Sequence, residues 1–273
     1  MKRLLSSTVY IASIVVAFLL REFVDYRFFY VLIFALAGLG SFELFKVTKA
    51  VVNGVAGVSS LICGWALVPV MTFGELFISG SGWIFGLGLI GLSLLVSLIS
   101  HFAIKNPNHK LLLTVINALY PAICIFLMVL CNQQLNDRGF IALVLLFVIS
   151  GSSDTMAFYS GILIKGPKLA PRLSPNKTWA GAIGGVLGGA VGSLLVYLVF
   201  ARPVGLFNWW IFLLIGAVGS AVSMVGDLFE SFIKRRLGIK DISNIMPGHG
   251  GILDRIDGLL FVPLVVFPIM LIL

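Results

Sequence analysis

Long apolar runs alternate with short polar breaks along almost the whole chain. Nine runs carry few or no charges: 4–20, 28–45, 53–73, 80–100, 111–132, 139–163, 179–200, 207–229 and 258–273. About 20 apolar residues of helix cross a bilayer, so each run reads as a transmembrane helix. The pattern predicts an all-α fold, a polytopic integral membrane helical bundle of about nine transmembrane helices. Pro69 falls inside the third run and softens that helix. Two stretches break the pattern, 164–178 and 230–257, and they hold most of the polar residues of the second half.

Composition agrees with the pattern. The chain is 59% hydrophobic and 11% charged, with a mean hydropathy of +1.10, whereas a soluble domain carries roughly 25% charged residues. Its net charge is +8. In a membrane protein such an excess points to cytoplasmic loops and anionic lipid, and nothing calls for nucleic acid. With the N-terminus inside, fifteen Lys and Arg fall on the inner side; Arg21, Arg27, Arg138 and Arg202 fall outside. Basic residues collect in cytoplasmic loops, so both polar stretches are expected there. Trp83, Trp209 and Trp210 fall near the outer interface.

Cys63, Cys124 and Cys131 lie in or beside apolar runs without CxxC spacing, which tells against a disulfide framework or zinc site. The first run follows Lys2 and Arg3 but has no small-residue cleavage site, so it reads as a span. Gly181, Gly185 and Gly189, and Gly184, Gly188 and Gly192, recur at spacing four. Such rows let helices approach closely, either within one subunit or between two copies in a homodimer.

The segment from Gly226 to Gly258 concentrates charge beside the membrane spans, with five acidic residues, five basic residues and His249. Asp227, Glu230, Ser231 and Lys234 share one helical face by spacing. A carboxylate held there is a hard-cation ligand; the bland alternative is a helix end with Asp227 paired to Lys234. Asp254 and Asp257, three residues apart before the last span, add two carboxylates. One aspartate there is explained by the helix dipole, two less well. The turn Pro247-Gly248-His249-Gly250-Gly251 lets backbone approach a ligand, and Lys234, Arg235, Lys240 and Asp241 flank it. Ser174-Pro175-Asn176-Lys177-Thr178 opens a helix, where a lysine beside a capped N-terminus suits an anion. Asp154 lies inside the sixth span, and an intramembrane aspartate is a functional candidate.

These residues resemble the signature of the phosphatidate cytidylyltransferase family. Its S-x-x-K-R, K-D, P-G-H-G-G and D-R-x-D elements are matched by Ser231, Lys234, Arg235, Lys240, Asp241, Pro247 to Gly251, Asp254, Arg255 and Asp257. The G-D-L-x-E-S, S-P-x-K-T and D-T-x-A elements stand at Gly226 to Ser231, Ser174 to Thr178 and Asp154 to Ala157. The resemblance is strongest over 154–258. Two positions depart from it: Ala180, where the family carries glutamate, and Met246, where a branched or aromatic residue is usual.

The resemblance implies a magnesium-dependent enzyme that converts CTP and phosphatidate to CDP-diacylglycerol and diphosphate at the cytoplasmic face of a bacterial inner membrane, with a second cation as an option. It implies magnesium ligands at Asp227, Asp254 and Asp257. Lys234, Arg235 and Lys240 would meet phosphate, and Asp241 and His249 join the catalytic set. Ser174, Lys177, Thr178, Ser231, Gly250, Gly251 and Arg255 would bind substrate. Residues 1–150 would then form a scaffold of N-terminal and middle helices, with 151–273 the catalytic region. Two other readings stay open: a CTP-dependent polyprenol kinase, which releases CDP instead of diphosphate, and a transporter, which is expected to show two similar halves with interrupted helices.

Overall fold

The computed structural model describes residues 2–104, 108–133, 135, 138–203, 205, 208–243, 245, 246 and 250–272, with side chains from Thr8 onward. The protein is a bundle of helices, eight of them long and apolar enough to cross a membrane among the described residues. It is a multi-pass membrane protein. In chain order the helices are α1 (Lys2–Phe23), α2 (Phe29–Thr48), α3 (Gly54–Phe77), α4 (Gly82–Ala103), α5 (Leu111–Leu119), α6 (Ala122–Gln133), α7 (Gly139–Leu163), α8 (Trp179–Val196), α9 (Trp209–Leu237), α10 (Leu253–Phe261) and α11 (Pro263–Ile272). Each apolar run of the sequence corresponds to one of these helices or to a broken pair.

The breaks have local causes. Pro121 has no N–H to donate and its ring crowds the preceding turn, so the run 111–132 becomes α5 and α6. Pro263 likewise opens α11 after α10, at the helix position that tolerates proline best. At the other extreme α9 runs past its apolar stretch to Leu237. Lys234 pairs with Glu230 one turn earlier, and three basic residues sit at the negative end of the helix dipole. Gly238, at φ +70°, then ends the helix. The stretch 164–178 forms a small antiparallel hairpin, β1 (Lys168–Ala170) with β2 (Ser174–Thr178), in which Lys168 faces Thr178.

The chain divides into two compact units, residues 1–129 with 237–255, and residues 130–236 with 256–273. In the first, α2 packs on α3 and α3 on α4 and α5, around Phe29, Ile33, Leu44, Leu67, Met71 and Leu113. In the second, α7 lies along α8 over an extended contact, and α11 also packs on α7. Both glycine rows of α8 are used inside this unit. A methyl group on Gly184 would overlap Ser160, one on Gly188 would meet Met156, and one on Gly192 would meet Ser152, all on α7. Gly189 faces Ser220 of α9 instead. Ser193 Oγ donates to the Phe212 carbonyl at 2.6 Å and ties α8 to α9.

Candidate functional site

In the second unit two glycines explain where the acidic residues stand. A Cβ on Gly226 of α9 would lie 2.6 Å from the Asp257 carbonyl oxygen, and a Cβ on Gly258 of α10 would lie 2.5 Å from Ser223 Oγ. With no side chain at either position, α9 and α10 touch backbone to backbone. Asp227 follows the first glycine and Asp257 precedes the second, so the contact that joins the helices also brings the carboxylates near one another. The charges of Asp227, Lys234 and Asp154 all act on Asp257. Asp257 Oδ1 accepts the Gly258 N–H at 2.7 Å.

Asp154, Lys177, Thr178 and Asp227 line a cavity of about 720 Å³. The hairpin delivers Lys177 to it, because β2 runs straight into α8. Thr178 caps that helix, its Oγ1 accepting from the Gly181 N–H at 3.1 Å. Lys177 Nζ stands 2.6 Å from Asp227 Oδ2, and both side chains are half-buried. Lys165, Lys168 and Asn176 extend the polar lining, while Phe158, Ile162 and Met224 make an apolar wall. The cavity thus joins a charged end to an apolar wall.

Other predicted site residues of this unit have different surroundings. Lys234 Nζ lies 3.0 Å from Oε1 of the fully buried Glu230, so the lysine's near partner is Glu230 and not Asp227. Arg235 Nε donates to the Leu173 carbonyl at 3.3 Å and links the end of α9 to the hairpin. Arg236 lies over the Phe232 ring at 5.1 Å. Ser231 is buried, and Ser174 is half-buried at the start of β2.

Lys240, Asp241, Gly250, Gly251, Asp254 and Arg255 belong to the first unit. Lys240, Asp241 and Arg255 are exposed. Asp254 Oδ2 accepts from the backbone N–H groups of Ile242 and Gly251, at 3.1 and 2.8 Å. Gly250 has φ +84°, a conformation that side chains disfavour. His249 lies outside the described residues, as do Pro247 and Gly248.

Sequence reasoning did not single out Glu43 of α2. Its side chain is fully buried and accepts from Ser243 Oγ and from the N–H groups of Ile252, at 3.0 Å, and Leu253, at 2.8 Å. A Cβ on Gly251 would lie 2.8 Å from this carboxylate, which accounts for glycine there. A lone glutamate in an apolar run was the available signal, of the same kind as Asp154.

Residues 1–273 match the family model described as Cytidylyltransferase family. The chain is similar to proteins named phosphatidate cytidylyltransferase. One from Brucella abortus is 48% identical over 121 residues, 44% of this chain and 43% of the relative. One from Haemophilus influenzae is 35% identical over 159 residues, 57% of this chain and 54% of the relative. One from Rickettsia prowazekii is 32% identical over 218 residues, 77% of this chain and 90% of the relative. The chain thus spans less than half the length of the Brucella relative it matches.

Proposed function

The chain belongs to the cytidylyltransferase family, and from that premise we propose that it is a phosphatidate cytidylyltransferase of a bacterial inner membrane, acting from the cytoplasmic side. CTP and phosphatidate are its substrates, and CDP-diacylglycerol and diphosphate its products, in phospholipid biosynthesis. The observation that carries this reading is the cavity in which the Lys177–Asp227 pair meets the apolar wall of Phe158, Ile162 and Met224. The excess of basic residues on one side of the spans supports the cytoplasmic face.

In the reaction a phosphate oxygen of phosphatidate attacks the α-phosphorus of CTP in line. The bond from that phosphorus to the oxygen bridging to the β-phosphate breaks, and diphosphate leaves with the electron pair. Both reactants are anions, so the protein must neutralise charge and align them. Lys177 would hold the lipid phosphate while the acyl chains lie against the apolar wall. Lys240, with the backbone at Gly250 and Gly251, is proposed for CTP. The attacking phosphate is ionised at neutral pH, so no general base is required.

Magnesium is the proposed cofactor. Among the described residues no three His, Cys, Asp or Glu side chains form a metal-holding group. Magnesium does not need one, since it takes one or two carboxylates and completes its octahedron with water and phosphate oxygens. The backbone contact of α9 with α10, which stands between Asp227, next to Gly226, and Asp257, next to Gly258, supports a fit, because carboxylates are the hard oxygen donors that magnesium takes. Asp227 and Asp257 would hold it. When bound, the ion would neutralise phosphate charge.

The test is purified protein in detergent with labelled CTP and phosphatidate, following lipid product and diphosphate together. CDP-diacylglycerol with equimolar diphosphate is expected. Release of CDP with phosphorylation of a lipid alcohol would move the assignment to a kinase, and no CTP-dependent product would end both readings.

A further inference from the structure

We propose that Glu43 is a positioning residue for nucleotide binding: from α2 its carboxylate fixes the first turn of α10, with Gly251 and Asp254, in the geometry that receives CTP. This rests on the cytidylyltransferase reading above. The first N–H groups of any helix lack intrahelical partners and are usually satisfied by a Ser, Thr, Asp or Asn just before the helix. Here that position is Ile252, which has no acceptor in its side chain. The acceptor comes from a residue more than 200 positions earlier in the chain. Glu43 Oε1 takes the Ile252 N–H and Ser243 Oγ, and Oε2 takes the Leu253 N–H.

A local cap would close the helix without burying a charge. A wholly buried carboxylate is costly to desolvate and is tolerated when hydrogen bonds and the positive end of a helix surround it. What the distant carboxylate adds is location: the turn is fixed to α2, not merely closed. Asp254 then holds the same turn from the other side, accepting from Ile242 and Gly251. Two carboxylates thus take five hydrogen bonds from one short stretch, four of them from backbone. Gly251 is pressed so close to Glu43 that a side chain would collide.

The experiment compares Glu43→Gln with the unmodified protein in detergent, using two readouts. Hydrogen exchange at Ile252–Asp254 should rise about tenfold, with α2 unchanged, and the KM for CTP should rise about tenfold, while kcat and the KM for phosphatidate stay within about twofold. A residue that merely supports folding would instead lower thermal stability and apparent kcat with the CTP KM unchanged, and that result overturns the proposal. Unchanged exchange at Ile252–Asp254 overturns it too. If Glu43→Gln does not fold, Glu43→Asp retains the charge on a shorter arm and gives the same readouts. No turnover in the unmodified chain would tell against the activity assigned above, and the exchange measurement would still decide whether Glu43 holds the turn.

Discussion

Lys234 and Arg236 stand two residues apart on one helix and have different work. By helical geometry they point about 200° apart. Lys234 faces the buried Glu230, whereas Arg236 is exposed and lies over Phe232. Removing one partner of a buried ion pair costs roughly 3–5 kcal/mol because the other charge is stranded. Lys234→Met is therefore expected to lower thermal stability in detergent by an amount of that order, and the double change Glu230→Gln with Lys234→Met to recover most of it. Arg236→Ala should stay within about 1 kcal/mol, the size of an exposed cation–π contact. Equal small losses at both positions would show that Lys234 is only a solvated anchor. Ala180, where the signature it resembles usually has glutamate, is the second residue of α8 after the Thr178 cap. An acidic group in a first turn contributes roughly 0.3–1 kcal/mol. Ala180→Glu should thus shift stability by about that much and leave turnover within tenfold, about 1.4 kcal/mol of barrier. A larger rate increase, in the assay for CDP-diacylglycerol, would make the missing carboxylate part of the chemistry.

At the scale of elements, the contact of α9 with α10 is the feature on which the acidic residues depend. A Cβ at Gly226 meets backbone, the Asp257 carbonyl, which cannot swing aside as a flexible side chain can. Overpacking of this kind costs roughly 1–3 kcal/mol. Gly226→Ala is expected to reduce both stability and turnover, since it separates Asp227 from Asp257. Gly88→Ala is the control: nothing lies within 4 Å of a Cβ there, and alanine is the better helix former by roughly 1 kcal/mol. Equal behaviour of the two variants in unfolding and turnover assays would show that the helix contact does not set the site. The glycine rows of α8 are a parallel case. Their spacing was plain in the sequence, but spacing alone could not say whether the neighbour was α7 of the same chain or a second copy. The side chains of Ser152, Met156 and Ser160 answer it, because each fills the space above a glycine.

For the whole molecule, the bias of basic residues to one side of the spans predicts that the hairpin and the stretch after α9 face the cytoplasm. Cysteines at Asn176 and Ile245, both exposed, test this in a background without the buried Cys63, Cys124 and Cys131. An impermeant thiol reagent should leave both unlabelled in intact cells and label both after lysis. Labelling of either from outside would reverse the topology. The sequence by itself determined the helical membrane fold, the approximate bounds of the spans, the Thr178 cap and the candidate chemistry from Asp154 to Asp257. Those are local properties: apolar length, a capping side chain, and residue types at fixed spacing. Tertiary structure alone decided partners. Lys177 meets Asp227 and Lys234 meets Glu230, although spacing had offered Lys234 to Asp227. Glu43, a lone glutamate in an apolar run, takes donors from a turn at the far end of the chain. A charge leaving water needs an opposite charge or a donor wherever the fold supplies one, and distance along the chain does not say where that is.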